Sequence, residues 1–315
     1  MSNDAPVLCR SEATDADLHA HNLRNWQQQY DQLSDGHFFG RIDELDLAHL
    51  QVFSEHTSQA LHQHCNVWPD SVWLGFAAKQ QNCRINGMEV APDQVMVRPG
   101  HCDFELVTPE GFDIFGVVIS QPALLRVADS HGIELDARAW LQPRKQWQTQ
   151  RLNALRYMLQ RWLTPIHTGV GGRLQEELLL TTALEVLQQA PVQERRQSSY
   201  GRRKAVVERV QAYLEANSHA PVTITELCQL THVSRRTLQY SFESILGISP
   251  ARYLRATRLN GVRRVLSQAQ PSDDIVISRI AAEWGFWHPG QFAHDYKQLF
   301  GENPSVTLAQ RQGHL

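Results

Sequence analysis

The sequence has no run of 18 or more apolar residues, so it predicts no transmembrane helix and no membrane partner. Its opening stretch, MSNDAPVLCRSEATDADLHAHN, is acidic and polar, the wrong chemistry for a secretory leader. The five cysteines, Cys9, Cys65, Cys83, Cys102 and Cys228, are odd in number and form no C-x-x-C pair. That argues against a disulfide framework or a zinc finger, and it predicts a reduced, cytoplasmic setting. No G-x-S-x-G, P-loop or G-x-G-x-x-G is present. A serine nucleophile elbow and a nucleotide phosphate cradle are therefore not expected, and the chain reads as a non-enzyme that requires no cofactor.

What is present is unevenly distributed. A length of 315 residues suggests about two domains. The net charge of −3 conceals two halves of opposite sign. Residues 1–194 hold 14 Lys and Arg against 24 Asp and Glu, a net −10, while residues 195–315 hold 16 against 9, a net +7. A basic tail behind an acidic front suggests a polyanionic partner for the tail.

Between about 37 and 120 the chain reads as short strands. Trp73–Ala78, Gln94–Pro99, Phe104–Pro109 and Asp113–Ser120 are apolar or alternating and are bounded by Pro, Gly, Asn or Asp. Spacing near ten residues predicts a small antiparallel barrel or sandwich. Helical patterns follow: a segment ending at Gly132, a leucine stripe at 152, 155, 159 and 163, and an apolar helix over Leu174–Gln189. That last helix is rich enough to pack on the strands and also on a second subunit. Pro191–Arg203 is polar and charged, as an interdomain linker would be. The expected organisation is α+β in two domains. Residues 1–190 form a β-barrel, cupin-like sensor domain with packed helices; 191–203 form a linker; 204–315 form an all-α DNA-binding domain.

The tail overlays itself. At an offset of 54 residues Leu238 falls on Phe292, Phe242 on Tyr296, Leu246 on Phe300, Gly247 on Gly301 and Pro250 on Pro304. Upstream the offset is 53, with Leu227 on Ile280, Cys228 on Ala281 and Val233 on Phe286, so one residue is inserted in the second turn. A short helix, a tight turn and a longer helix, repeated, is the helix-turn-helix pattern, at about 224–247 and 277–301. Ser234 suits the first reading helix as N-cap and Gly247 as left-handed C-cap. Ser234, Arg235, Arg236, Thr237, Gln239 and Tyr240 lie along its start and polar face, and Arg and Gln read guanine and adenine edges bidentately. Between the copies, Ser249–Gln268 reads as one arginine-rich helix that starts at Pro250.

These residues carry a resemblance. VSRRTLQYSFESILGISPARYLRATRLNGVRRVL and ISRIAAEWGFWHPGQFAHDYKQLFGENPS resemble the AraC/XylS family of bacterial transcription regulators, over about 100 residues. WQQQYDQL, LQVFSEHTSQALHQHCNVWPDSVWLG and RPGHCDFELVTPEGFDIFGVVIS look like the branch that activates ethanolamine-utilisation operons. The resemblance implies a DNA-binding activator with a ligand-sensing front domain, partnered by promoter DNA, RNA polymerase, an effector and a second copy. It implies ethanolamine as effector, with adenosylcobalamin as a second one. The second copy departs from the family pattern: His288, Pro289, Gly290, Gln291 and His294 stand where polar readers and an arginine are usual. Only Gln291 is a strong base reader by type, so the first copy is expected to carry more of the sequence reading.

Two further clusters invite chemistry. His62, His64 and Cys65 are metal-ligand types, but no Glu follows at short spacing, and ordinary strand or loop residues are the preferred reading. A cupin-like metalloenzyme with a basic appendage is the rival reading of the whole chain. An ammonium effector calls for aromatic faces and a carboxylate, for which Trp68, Trp73, Phe76, Asp103 and Glu105 are the candidates.

Overall fold

The computed structural model describes residues 7–135, 140–164, 171–190, 192, 198–217, 222–269 and 276–312. Residues 1–6 of the polar opening stretch and 191 and 193–197 of the expected linker lie outside them. The chain forms two compact units, drawn mainly from residues 1–194 and 195–315.

The chain up to residue 190 holds strands β1 (Leu8–Ala13), β2 (Gln27–Gln32), β3 (Gly40–Asp46), β4 (Leu50–Thr57), β5 (Leu61–Asn66) and β6 (Ser71–Ala77). It continues with β7 (Cys83–Ile85), β8 (Met88–Val90), β9 (Gln94–Pro99), β10 (Phe104–Thr108), β11 (Phe112–Ser120) and β12 (Arg144–Gln146). Helices α1 (Ala16–Ala20), α2 (Gln121–Ser130), α3 (Thr149–Trp162) and α4 (Gly172–Leu187) complete it. The strands make a seven-stranded sheet, β1-β3-β4-β11-β6-β9-β12, and a five-stranded sheet, β2-β5-β10-β7-β8.

The predicted barrel does not close. The two sheets share no strand, and no ladder joins their edges among the described residues. Two of the edge strands, β8 and β12, have only three residues each and offer little to pair with. Strand alternation explains the layering. Val72, Leu74 and Phe76 of β6 share a buried core with Leu152, Leu155 and Leu159 of α3 and Leu180, Ala183 and Leu184 of α4. The opposite face of β6 turns Trp73 onto Phe104 of β10, stacked at 4.9 Å between ring centroids. Each fully buried large side chain in these layers contributes about 1.5–3 kcal/mol.

The second unit holds helices α5 (Ser198–Ala216), α6 (Ile224–Thr231), α7 (Arg235–Leu246), α8 (Pro250–Gln268), α9 (Ile277–Glu283), α10 (Pro289–Phe300) and α11 (Pro304–Gln312). Helix α5 begins at Ser198, so Ser198–Arg203, expected as linker, is helical. Tertiary packing overrides its polar composition there: Val207 and Val210 are buried, and the Arg203 guanidinium lies 5.3 Å over the Tyr240 ring of α7. Helix α8 has Ser249 as N-cap, accepting from the Arg252 N–H at 3.3 Å, with Pro250 opening the helix. Leu259, Val262 and Leu266 of α8 form one core with Ile280, Phe292, Tyr296, Leu299 and Phe300. Gly261 is required where it stands, because a Cβ there would lie 2.2 Å from the Trp284 ring.

Candidate nucleic-acid interface

Helix α6 starts with a capping box: the Thr223 hydroxyl accepts from the Glu226 N–H, and the Glu226 carboxylate accepts from the Thr223 N–H at 2.7 Å. Those hydrogen bonds hold the Glu226 carboxyl below its ordinary pKa. The chain then turns through His232, whose φ of 54° is left-handed. Ser234 caps α7, its hydroxyl accepting from the Thr237 N–H at 3.2 Å, and Gly247 ends the helix at φ 74°. Leu238, Phe242, Ile245 and Leu246 are buried on one side. Ser234, Arg235, Arg236, Thr237 and Tyr240 are exposed, with Tyr240 at 58%. Neither Arg235 nor Arg236 has an ion pair or hydrogen bond among the described residues. Gln239, half-buried, donates to Glu243 at 2.5 Å, so its amide is partly engaged within the helix.

The second helix pair repeats this geometry with one change. Gly285 is left-handed at φ 82°, as His232 is, and Phe286 is half-buried, as Val233 is. His288 is the N-cap but makes no side-chain cap bond; Pro289 opens α10 and Gly301 ends it at φ 76°. The extra residue between Phe286 and His288 is therefore Trp287, and it is 67% exposed. His288, Pro289, Gly290, Gln291 and His294 are all exposed. A Cβ on Gly290 would meet no heavy atom within 4 Å. Gln291 donates to Asp295 at 2.6 Å, and Asp295 also pairs with Arg255 at 2.8 Å. Sequence reasoning located the inserted position only to the turn. The matched left-handed residues identify it.

The other predicted residues do not gather in one place. Trp73 and Phe76 leave opposite faces of β6, Trp73 against Phe104 and Phe76 against Phe115. Asp103 accepts from the Asn66 side chain, and the Trp68 carbonyl accepts from the Ser71 hydroxyl. Glu105 faces away from Trp73, beside His64. Cys65 faces the other way from His64, its sulfur 3.5 Å from Gln28 Oε1, and burial pushes its thiol well above the ordinary range. Trp73 is instead part of an aromatic group that sequence spacing did not reveal. Trp26 stands edge-on to Trp73 at 6.0 Å and to Phe53 at 5.7 Å, and its indole N–H donates to Gln51 at 2.9 Å.

Comparison with known proteins bears on the helical unit. A helix-turn-helix domain family matches residues 227–310. The probable thc operon regulatory protein of Rhodococcus erythropolis is 42% identical over 96 residues, covering 30% of this chain and 29% of that protein. The XylDLEGF operon transcriptional activator of Pseudomonas putida is 38% identical over 104 residues, covering 33% and 32%. The crystal structure of a probable AraC family transcriptional regulator from Rhodopseudomonas palustris CGA009 is 34% identical. It covers 34% of this chain and 97% of that one, with a TM-score of 0.31. Residues 227–310 thus belong to a helix-turn-helix domain family, and the curated relatives that match this region are named as operon regulators. The chain spans about a third of the length of these curated relatives, and the match is confined to one region. It lies within the region that holds α6 to α11. No helix among the described residues is long and apolar enough to cross a membrane.

Proposed function

We propose that the chain is an effector-responsive activator of a catabolic operon that reads promoter DNA with two helix-turn-helix units, α6–α7 and α9–α10. The observation that carries this reading is the outer face of α7, where Arg235 and Arg236 are exposed and unengaged beside Thr237 and Tyr240. Helix α8, at 19 residues, is about 28 Å long. That length suits two reading helices in successive major grooves, about 34 Å apart on one face of DNA. Helix α7 supplies most of the base reading. Helix α10, with Gly290 at its exposed first turn, supplies phosphate contact through backbone N–H groups at its positive end.

For the effector we propose a small amine or alcohol. Ethanolamine is the one implied by the front-half resemblance, with adenosylcobalamin as a second. The Trp26, Trp73 and Phe104 rings offer the aromatic faces an ammonium group favours, and the buried Glu44 carboxylate accepts from Gln51 beside them at 3.0 Å. Exposed Leu174 and Leu178, one turn apart on α4, support pairing with a second copy. Effector binding shifts the population toward the arrangement that engages DNA and RNA polymerase.

Anisotropy titrations of promoter fragments and scrambled DNA, over a salt series with and without ethanolamine, test this reading. Promoter-selective binding whose log K falls with log salt is expected. Equal affinity for scrambled DNA, or binding insensitive to salt, would overturn it.

A further inference from the structure

His62 and His64 stand two residues apart on β5, so both imidazoles leave the same face of that strand. The neighbouring strand of the same sheet, β10, brings Glu105 to that face. His64 Nδ1 lies 3.9 Å from Glu105 Oε1, and one ligand atom from each of His62, His64 and Glu105 lies within 4.8 Å of the other two. The carboxylate missing from the short-range sequence pattern is supplied across the sheet. Cys65, on the opposite face, has no part in the group.

The geometry points to a binding site for a borderline divalent metal ion, Zn²⁺ in the first instance, with His62, His64 and Glu105 as ligands. Two imidazoles and one carboxylate form a donor set this ion takes readily, with bonds of about 2.0–2.2 Å. Donors around one tetrahedral ion then stand about 3.4 Å apart. The His64–Glu105 pair must close by only a few tenths of an ångström, and the wider pairs by a side-chain rotation. The backbone beneath Glu105 is already fixed. Its N–H donates to the Asn86 side chain at 2.9 Å, and its carbonyl accepts from the Asn86 N–H at 2.9 Å. His62 is 1% exposed, while the side chains of His64 and Glu105 are 35% and 27% exposed. A buried imidazole thus forms the floor of the site, and the other two ligands form its open side. Three protein ligands leave a fourth position for water or for a donor atom of a small molecule.

The test uses the full chain, freed of metal by a chelator. Zn²⁺ is titrated in competition with a chromophoric chelator, and Co²⁺ serves as a spectroscopic probe of coordination. One equivalent per chain is expected, with the visible bands of a four-coordinate nitrogen and oxygen site. His64→Ala and Glu105→Gln should each weaken binding at least tenfold, and Zn²⁺ should raise the melting temperature of the parent chain but not of these variants. His56→Ala, a histidine paired with Asp113 elsewhere in the same unit, should bind as the parent does. Because His64 and Glu105 are partly exposed, the metal-free variants should melt with the parent, which separates loss of a ligand from loss of fold. Absence of stoichiometric binding at micromolar free Zn²⁺, or binding unchanged in both ligand variants, would overturn the assignment.

Discussion

Gly75 on β6 and Gly116 on β11 are partners in the strand register, and neither site has room for a Cβ. A Cβ on Gly75 would lie 2.0 Å from the Trp73 ring, and one on Gly116 would lie 2.1 Å from the Phe53 ring. The paired glycines make a shallow floor on which two aromatic rings lie flat enough for Trp26 to reach both. Gly116→Ala should therefore destabilise the first unit by about 1–3 kcal/mol, the usual range for overpacking. A urea melt followed by tryptophan fluorescence checks this, since Trp26 and Trp73 report on the affected contact.

Gly290 is a glycine of the opposite kind. A Cβ there meets nothing in the protein. Gly290→Ala should leave the fold intact and stiffen α10 by up to about 1 kcal/mol. Its promoter affinity should nonetheless fall several-fold, because the methyl group keeps the helix start away from a phosphate. Undiminished affinity in the same titration would show that no close approach occurs there.

The two reading helices should respond unequally to loss of a polar side chain. Arg236 is exposed and unengaged, whereas the Gln291 amide is committed to Asp295. Arg236→Ala should cost about 1–3 kcal/mol of promoter binding and relax discrimination at its base pair. Gln291→Ala should cost less. Parallel titrations on promoter and scrambled DNA decide the order, and equal or reversed losses would reject the division of labour.

Trp287 separates stability from recognition in a different way. It is an exposed aromatic with no core partner, so Trp287→Ala should change stability by no more than about 0.5 kcal/mol. If α10 meets DNA as proposed, Trp287 beside its start should touch it too, and promoter affinity should drop in the variant while the melting temperature holds. An unchanged promoter affinity would remove Trp287 from the interface.

Alkaline pH should weaken the first unit through Cys83. Burial pushes this thiol from 9.0 up to about 12. Above pH 9 the unfolded chain gives up that proton while the native chain keeps it. The unfolded state then binds fewer protons, and stability falls as pH rises from about 9 toward 12. Urea melts of Cys83→Ala should begin from a lower stability at pH 7 and decline less steeply above pH 9.

The helical unit was largely legible in the sequence because its signals are local. Ser234, Gly247, Ser249 and Pro250 act on backbone groups within three or four residues of themselves, so type and spacing suffice. The sheets were harder. Gln27–Gln32 has four glutamines and no apolar alternation, yet it forms a strand because its neighbours in space complete it. Strand pairing also explains what was missed at the candidate sites. Glu105 reaches His64 from 41 positions along the chain, and Trp26 reaches Trp73 from 47. No short-range spacing encodes either meeting.

The two helix pairs carry matched left-handed residues at 232 and 285 and matched caps at 234 and 288, so they differ in length by a single position. That position falls after Phe286, which still packs against the core around α8, and before the helix that meets solvent. A change in length there alters how α10 is presented without disturbing any buried neighbour. The joint is thus a place where descent can adjust the pitch of one head against the other at little thermodynamic risk. If α7 and α10 read promoter DNA as proposed, lengthening or shortening this joint would change the half-site spacing they can follow, with the hydrophobic interior left as it was.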